Sequence, residues 1–575
     1  MIQVSSFAAF FRRWAAPLFL IAVAAFFLIA NRGAYQSYFL DDELDNIVNT
    51  AELGASDFAG GLVLPRYYAN NFRPLGHLFF RLMGDTFELR FPPYIAAVHL
   101  LHLLNVVVLW LILRRLALPF AACAAGVLLF AFHMAVFDVY WKPMYVFDLL
   151  CGTFCLLALL FWTMEQRFLW ILSLLSFWLA LRSKEVAVML PIALIAYDLL
   201  FAKRRWLKLA PFVAIALWFG MQGLMHGSEL KTEYALSFAT SDVWSAASFY
   251  AAKLLLSPYQ PAWLLIAFVA VLAAIALAVR NRPAWFGLVF FLATLVPMLL
   301  LASRLRGAYL YVPLIGLAIV AAAACIRPHA AIAAFVILAF WIPWNYANLR
   351  SLRREALSQV EDRRTYAATL TVLAAKQPQF TSFIYEDGPF EPYGAQAIER
   401  WLHPDTVITV LREEQSKPPG FLQSPWLAVL YWDKVHHRLD PVLRSGPPVS
   451  YIEIGPKTPV WQLRDGWFPL EGIRRWTRPH CTAELQRPEN AAEFELKLVV
   501  NDLYLEKLHQ GHVRISLNGV PAGDVDLTQA GVFTFRIKIP PAPAGLTEVA
   551  MDANPPFPAN DPLGIAVMAF GFPAK

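Results

Sequence analysis

Residues 14–30 read WAAPLFLIAVAAFFLIA, an apolar run of the kind that fills the interior of a lipid bilayer. The rest of the chain has the same character: of 575 residues, 58% are hydrophobic and only 16% are charged, and the mean hydropathy is +0.50. A soluble domain of this size carries fewer apolar residues. Because the apolar runs lie before residue 348 and charges become denser after it, the sequence predicts a polytopic membrane part followed by a water-soluble tail.

Further apolar runs in the first part are long enough to cross a bilayer. We predict a mostly α-helical membrane protein with about eleven transmembrane helices. The predicted spans are 14–30, 92–113, 117–136, 145–163, 167–181, 186–202, 209–225, 262–279, 284–302, 308–326 and 329–347. The stretch 243–257 is interpreted as an interfacial or re-entrant helix.

Basic residues in the short loops give an orientation. With these spans, one side collects the basic residues at positions 12–13, 114–115, 167, 203–208, 280–282 and 327, and the positive-inside rule makes that side the cytoplasm. The N-terminus is then cytoplasmic, and residues 31–91 form the first outer loop. The tail after residue 348 is extracytoplasmic. The net charge of +6 suits this orientation signal better than nucleic-acid binding.

The segment YFLDDELDN (38–46) places Asp41, Asp42, Glu43 and Asp45 just beyond the first span. A carboxylate can take a proton from an acceptor hydroxyl, so Asp41 and Asp42 are candidate general bases. The alternative is structural: acidic residues favour the first turn of a helix, and the cluster could simply begin a short one.

Several basic residues lie on the predicted outer side, against the positive-inside rule. They are Lys142, Arg182, Lys184, Arg304 and Arg306. Arginine and lysine bind phosphate, which suggests an anion site at the outer face. No nucleotide sugar is available there, so a sugar carried on a lipid phosphate is the expected donor.

Each of these residues also has a structural interpretation. Arg73-Pro74 could start an amphipathic helix, because proline suits the first helical position. Lys184 and Glu185 could form a local ion pair. Arg306 could reach lipid headgroups.

Polar residues inside the spans are costly and therefore informative. His102 and Asn105 could hydrogen-bond between helices. Asp148 lies near the outer end of its span and could reach the site, whereas Asp198 could pair with the basic residues 203–204.

A series of short motifs follows along the first part of the chain. They are DD (41–42), FRPL (72–75), LLHLLN (100–105), LLFAFH (128–133), PMYVFDLL (143–150), SKEVAVMLPIALIAYDLL (183–200) and RLRGAYLYVPLIG (304–316). Their order resembles the GT-C class of membrane glycosyltransferases, in particular the tetratricopeptide-containing O-mannosyltransferases and their bacterial relatives. This sequence departs from the family at Phe72, where the family has tyrosine, and at Met134, where the family has a proline after the histidine. The tail also shows no period of about 34 residues.

This resemblance implies inverting transfer of a sugar from a polyprenyl-phosphate donor, with Asp42 or Asp41 as the base. It implies Arg73, Lys184 and Arg306 as phosphate ligands. The further predicted substrate- or phosphate-binding residues are Glu43, His102, Lys142, Asp148, Glu185 and Tyr309. No cofactor is implied, although the acid cluster leaves a divalent metal open.

The tail changes in pattern. Residues 348–375 predict an amphipathic helix, and 381–433 alternate strand, helix and strand, which indicates a small α/β unit within 348–450. From 451 to 575 short alternating runs and Asn518-Gly519 predict a lectin-like β-sandwich. Trp467, Arg475 and Trp476 could hold a sugar, or both tryptophans could anchor the core.

The sequence therefore predicts a transmembrane GT-C-like domain over 1–347. Its expected function is glycosyl transfer at the outer membrane face, to a protein, lipid or glycan acceptor. A non-catalytic, membrane-anchored glycan-binding module is the alternative, and a transporter is the third.

Overall fold

The computed structural model describes residues 2–574 except 69–70, 165, 227–235, 257–260, 413–414, 416, 419 and 560, and for residues 2–13 and 328 it describes the backbone alone. The chain forms two compact units, Met1–Val360 and Glu361–Lys575. The first is helical and the second is rich in β-strands. The predicted fold class, a mostly helical protein with a C-terminal β-rich region, is confirmed.

The first unit contains sixteen described α-helices. They are α1 Ile2–Ala30, α2 Asp41–Ala51, α3 Ala55–Val63, α4 Pro74–Phe87, α5 Phe91–Arg115, α6 Phe120–Phe132, α7 Phe137–Trp141, α8 Val146–Thr163, α9 Leu169–Leu181, α10 Leu190–Leu200, α11 Trp206–His226, α12 Thr240–Leu254, α13 Trp263–Val279, α14 Arg282–Leu299, α15 Tyr311–Ala324 and α16 Pro328–Ser358. Short 3-10 turns include Glu185–Met189 and Gly307–Leu310.

Every apolar run predicted to span the membrane falls on a helix. Among the described residues, seven helical stretches are long and apolar enough to cross a membrane, and α9, α13 and residues 14–30 of α1 are shorter apolar helices. The seven are Phe91–Arg115, Phe120–Trp141, Pro143–Thr163, Trp206–Met225, Arg282–Leu299, Gly307–Ala324 and His329–Lys376. The stretch predicted as interfacial or re-entrant is mostly covered by α12.

Helix α15 is buried almost throughout and packs through glycines. A Cβ added at Gly316 would lie 2.4 Å from the backbone nitrogen of Phe291 in α14, and one at Gly126 in α6 would lie 2.6 Å from the carbonyl oxygen of Ala318. Small residues at these points let the helix backbones approach closely, as is common in membrane bundles. This packing fixes the start of α15, where the RLRGAYLY motif enters the helix.

Helix α2 begins at the acidic cluster. Asp41, Asp42 and Glu43 form its first turn, and the Glu43 carboxylate accepts a hydrogen bond from the backbone N–H of Leu40 at 2.8 Å. Acidic side chains there complement the positive end of the helix dipole. Its apolar residues, among them Leu44, Ile47 and Val48, are buried.

The second unit contains α17 Val360–Lys376, α18 Pro392–Leu402 and α19 Asp502–Leu508. Its first strands, β1 Ser382–Tyr385, β2 Thr409–Arg412, β3 Leu427–Asp433 and β4 Arg438–Leu443, form a sheet in the order β2-β1-β3-β4. Strands β1, β2 and β3 are parallel, and β4 is antiparallel to β3.

Two further sheets face each other across a shared hydrophobic core, as the sandwich prediction requires. One has the order β11-β10-β13-β8, and the other has the order β12-β9-β14-β7-β6 with β5 paired to β14. The strands are β5 Tyr451–Glu453, β6 Trp467–Glu471, β7 Arg474–Thr477, β8 His480–Arg487, β9 Glu493–Val500, β10 Gly511–Leu517, β11 Val520–Leu527, β12 Gly531–Lys538, β13 Gly545–Asn554 and β14 Ala566–Gly571.

The hairpin signal and the role of Trp467 are resolved in this unit. Asn518 and Gly519 join β10 to β11 with φ of 48° and 76°, as a type I′ turn requires. Trp467 is buried and stacks on Phe570, with ring centroids 5.2 Å apart, which is a core role. Arg475 is 1% exposed, so it is not at a sugar-binding surface.

Candidate active site

A cavity of about 350 Å³ lies within the helical unit, against the first predicted outer loop. Five separate stretches of the chain meet there. They are helix α2, the start of α4, the start of α8 and the two segments that precede α10 and α15. Its lining consists of Asp42, Asp45, Asn46, Asn49, Asn71, Arg73, His77, Met144, Tyr145, Phe147, Asp148, Lys184, Arg304, Arg306 and Tyr309.

One wall of the cavity is a single face of α2. Asp42, Asp45, Asn46 and Asn49 are spaced i, i+3, i+4 and i+7, which places their side chains along one stripe of a helix. Asp41 is not part of the lining, although it precedes Asp45 by four positions and so lies beside this stripe. The lining therefore includes one of the two aspartates that the sequence treated as equivalent.

The basic residues enter the cavity where helical segments begin. Arg73 is the N-cap of α4, Lys184 precedes the turn Glu185–Met189, and Arg306 precedes the turn Gly307–Leu310. Asp148 lies in the first turn of α8. The N-terminal ends of helices carry partial positive charge and exposed N–H groups, so their convergence with cationic side chains favours an anion.

Lys184 contacts one acidic and one aromatic neighbour. Its ammonium nitrogen lies 2.6 Å from both carboxylate oxygens of Asp148 and 4.0 Å from the centre of the Tyr309 ring. The Lys184 and Asp148 side chains are only 10% and 5% exposed. Because both charges are buried, the pair is ordered in one geometry.

Arg73 is oriented by Glu185 and by an aromatic ring. Its Nε donates to Glu185 at 2.9 Å, and its guanidinium lies 5.6 Å from the centre of the Phe147 ring. Burial is the largest single influence and acts to raise the pKa of Glu185, but the charge and hydrogen bond of Arg73, with smaller contributions from a backbone hydrogen bond and Lys184, together lower that pKa. Glu185 is thus an anionic partner that positions the arginine.

His77 supports the same arginine through the backbone. The N–H of Arg73 donates to Nδ1 of His77 at 3.0 Å, and burial is the main cause that lowers the pKa of His77 to about 4. The imidazole is therefore neutral near pH 7 and can accept this bond.

The arrangement has two chemical halves. The α2 wall presents carboxylates, which can accept a proton from a hydroxyl. Cationic side chains lie on the other segments, and they can stabilise a phosphate as it leaves. The cations that line the cavity are Arg73, Lys184, Arg304 and Arg306.

The structure brings together six of the residues predicted from the sequence, although their roles stay predictions. Those that line the cavity are Asp42, Arg73, Asp148, Lys184, Arg306 and Tyr309. The predicted residues outside its lining are Asp41, Glu43, His102, Lys142 and Glu185.

Three of these outlying residues have evident structural contacts. Glu43 is fully buried and accepts a further bond from the N–H of Met144 at 3.2 Å. His102 is fully buried and lies 2.9 Å from the hydroxyl of Tyr311, an interhelical contact like that considered from the sequence. Lys142 pairs with Asp138 at 2.8 Å.

Two ion pairs predicted from the sequence are replaced by pairs with other partners. Lys184 and Glu185 take separate distant partners, Asp148 and Arg73, instead of pairing locally. Asp198 pairs with Arg205 at 2.5 Å, one position beyond those predicted.

Sequence reasoning did not select several lining residues, including Asn46, Asn49, Asn71, His77 and Tyr145. The polar stripe of α2 was the available signal, because a helix started at Asp41 places residues 42, 45, 46 and 49 on one side. Within the described parts of the chain, no group of three or more His, Cys, Asp or Glu residues is arranged to hold a metal ion.

Comparison with known proteins gives similarity to solved structures only. No protein-family model matches this chain, and no curated protein matches it closely enough to count as a relative. ArnT from Cupriavidus metallidurans bound to undecaprenyl phosphate has a TM-score of 0.46 and 16% identity, over 70% of this chain and 87% of that one. Its apo state has a TM-score of 0.43 and 15% identity over the same shares.

The arabinofuranosyltransferase AftD from mycobacteria has a TM-score of 0.39 and 13% identity, over 98% of this chain and 59% of that one. With TM-scores below 0.5, these similarities by themselves assign no class to this chain. Identities this low give no residue-by-residue equivalence, so the roles of the cavity residues depend on their own contacts.

Proposed function

We propose that this protein is an integral membrane glycosyltransferase that moves a sugar from a polyprenyl-phosphate donor to an acceptor hydroxyl. The observation that carries the proposal is the meeting, in one cavity, of the carboxylate face of α2 with four cationic side chains. A base and a phosphate site are the two requirements of this reaction.

In the proposed reaction Asp42 takes the proton of the acceptor hydroxyl. The oxygen of that hydroxyl attacks the anomeric carbon at the same time. The bond between that carbon and the phosphate oxygen breaks, and polyprenyl phosphate leaves with the electron pair. Attack from the face opposite the phosphate inverts the anomeric configuration. Arg73 and Arg306 are assigned to the leaving phosphate, because arginine binds phosphate in a bidentate manner.

Lys184 and Glu185 have supporting roles in this proposal. Lys184 forms a neutral ion pair with Asp148 and offers an ammonium hydrogen-bond donor beside the phosphate site, and Glu185 holds Arg73 in place. The site is assigned to the outer face of a bacterial inner membrane, with the N-terminus cytoplasmic and the C-terminal unit extracytoplasmic. That assignment is supported by the distribution of basic residues among the short loops.

The test uses the full chain in lipid nanodiscs with radiolabelled polyprenyl-phosphate mannose, followed by the glucose and arabinose analogues. Release of sugar from the lipid is compared among wild type, Asp42→Asn and Asp41→Asn. We expect Asp42→Asn to slow release by at least about 100-fold, the usual contribution of a general base. Asp41→Asn is the matched control, since Asp41 lies outside the cavity lining, and it should stay within a few-fold of wild type.

Full activity of a folded Asp42→Asn protein would remove Asp42 from the catalytic role. A protein that neither binds nor turns over any of the donors would contradict the proposal and favour the anchored binding module. The assay is run with and without EDTA, because divalent cations prefer oxygen ligands and the carboxylates of Asp42 and Asp45 are of that kind.

A further inference from the structure

The outward face of the larger sandwich sheet carries two rows of polar side chains. Strand register aligns Arg536, Glu495, Gly571 and Tyr451 across β12, β9, β14 and β5. The next row aligns Thr534, Lys497, Ala569 and Glu453 across the same four strands. Rows two residues apart on a strand are about 7 Å apart, and four strands span roughly 14 Å, which is the scale of a short oligosaccharide.

The central strand of this face has small residues where its neighbours have long ones. Ala569 and Gly571 are the outward residues of β14, because Phe570 between them is fully buried in the core. Gly571 has φ of +139°, and a Cβ there would lie 2.4 Å from the carbonyl oxygen of Ser450, so this position requires glycine. A trough of about 770 Å³ lies along the sheet, with Ala569 in its lining.

The polar groups of the trough are held in place by one another. Glu495 accepts a hydrogen bond from the Tyr451 hydroxyl at 2.7 Å and from Nε of Arg536 at 3.0 Å. The Tyr451 side chain therefore crosses β14 above Gly571, where no side chain obstructs it. Preordered hydrogen-bonding groups lose little conformational entropy when a ligand binds.

The charge of the trough indicates the class of ligand. Two acids, Glu453 and Glu495, are balanced by two bases, Lys497 and Arg536. These four charges sum to zero, so the trough offers no net attraction to a polyanion or to a polycation. Sugar hydroxyls both donate and accept hydrogen bonds, so a mixed neutral set suits them, and Ile473 and Met568 on the lining offer apolar contact to sugar C–H groups.

We propose that this trough binds a neutral oligosaccharide. A second cavity of about 830 Å³ shares Tyr451, Glu453 and Ile454 with the first and continues to Tyr431 and Asp440. Two adjoining cavities fit a chain of several sugar units. Neither tryptophan that the sequence suggested lines this trough, and Trp467 belongs to the core.

The test is calorimetric titration of the full chain in nanodiscs with mannohexaose, cellohexaose and arabinohexaose, and with hexagalacturonate as an acidic comparison. We expect at least one neutral hexasaccharide to bind with a Kd of about 1 mM or tighter. Arg536→Ala should weaken this binding at least about tenfold, because it removes one donor and releases Glu495.

Arg514→Ala is the matched control. Arg514 is an exposed arginine on the other sheet and contacts Asp524 at 3.4 Å, as Arg536 contacts Glu495. It should leave the affinity unchanged. Lys497→Ala provides an independent variant, since Lys497 is half-buried on the trough lining and its removal should weaken binding while the thermal unfolding temperature stays near that of wild type.

Three outcomes would overturn the inference. They are no binding of any neutral hexasaccharide, equal weakening by Arg536→Ala and Arg514→Ala, and tighter binding of hexagalacturonate than of the neutral sugars. Because no donor lipid is present, the result is independent of whether the helical unit transfers sugar.

Discussion

The ammonium nitrogen of Lys184 lies 2.6 Å from each carboxylate oxygen of Asp148, and the two residues are 36 positions apart in the chain. Both side chains are buried, so water cannot solvate either charge if its ionic partner is removed. The pair joins the start of α8 to the segment before α10, and it thereby holds two walls of the cavity together.

Breaking this pair should destabilise the helical unit. Lys184→Met leaves Asp148 as an uncompensated buried charge, and Asp148→Asn does the same to Lys184. Each should lower the free energy of unfolding by about 3 kcal/mol. The double variant should lose less than the sum of the two, because it contains no orphaned charge. Thermal unfolding in nanodiscs measures all three, and strictly additive losses would show that the residues do not interact.

A glycine beside the cavity should be sensitive to a single methyl group. A Cβ at Gly76 in α4 would lie 2.0 Å from the ring of Phe147, which lines the cavity and faces Arg73. Gly76→Ala should displace that ring and reduce transfer activity by at least about tenfold, since small misplacements in a site are costly.

Gly60 in α3 provides the matched substitution for Gly76. The nearest atom to a Cβ there is 3.8 Å away, so Gly60→Ala fits without displacement. It should keep full activity and gain about 0.5 kcal/mol of stability from helix propensity. Equal activity of the two variants would show that the Phe147 position does not matter for transfer.

The stability of the C-terminal unit should depend on pH through Glu399. This residue of α18 is fully buried, neither carboxylate oxygen has a hydrogen-bond partner, and Nε2 of His403 is 3.8 Å away. Burial raises the pKa of Glu399 from 4.5 to about 8. The folded state therefore holds this proton more tightly than the unfolded chain, and the stabilisation is lost as pH rises from about 4.5 through about 8.

Glu399→Gln removes the titrating carboxyl group and keeps a side chain of nearly the same shape. Between about pH 5 and pH 9, wild type should lose on the order of 4 kcal/mol of stability relative to this variant. Calorimetric unfolding of the full chain at the two pH values measures the difference. Parallel pH profiles of wild type and Glu399→Gln would contradict the prediction, because they would show that folding does not raise the pKa of Glu399.

Two adjacent arginines in β7 should differ sharply in their contribution to stability. Arg475 is buried with Glu386, whereas Arg474 forms an exposed pair with Glu471 at 3.1 Å. Arg475→Met should cost about 3–5 kcal/mol, because Glu386 stays buried without that partner. Arg474→Met should cost less than about 1 kcal/mol. Thermal unfolding followed by limited proteolysis tests the contrast, and similar losses would contradict it.

The sequence by itself determined the elements of this fold. The apolar runs predicted helices at every span because lipid requires each backbone group to be satisfied within its own segment. Alternation and Asn518-Gly519 predicted the strands and a hairpin, since these depend on neighbours in the chain. The same local rules predicted that the acidic cluster could begin a helix, and α2 begins at Asp41.

Only the tertiary structure decided which polar residues meet. The packing of α2 places Asp42 on the cavity wall and leaves Asp41 outside its lining. Arg73 and Glu185 are 112 positions apart, and their pairing depends on how α4 packs beside the segment before α10. Local patterns record what each residue needs from solvent, lipid and near neighbours, whereas partners far apart in sequence are chosen by the packing of whole helices.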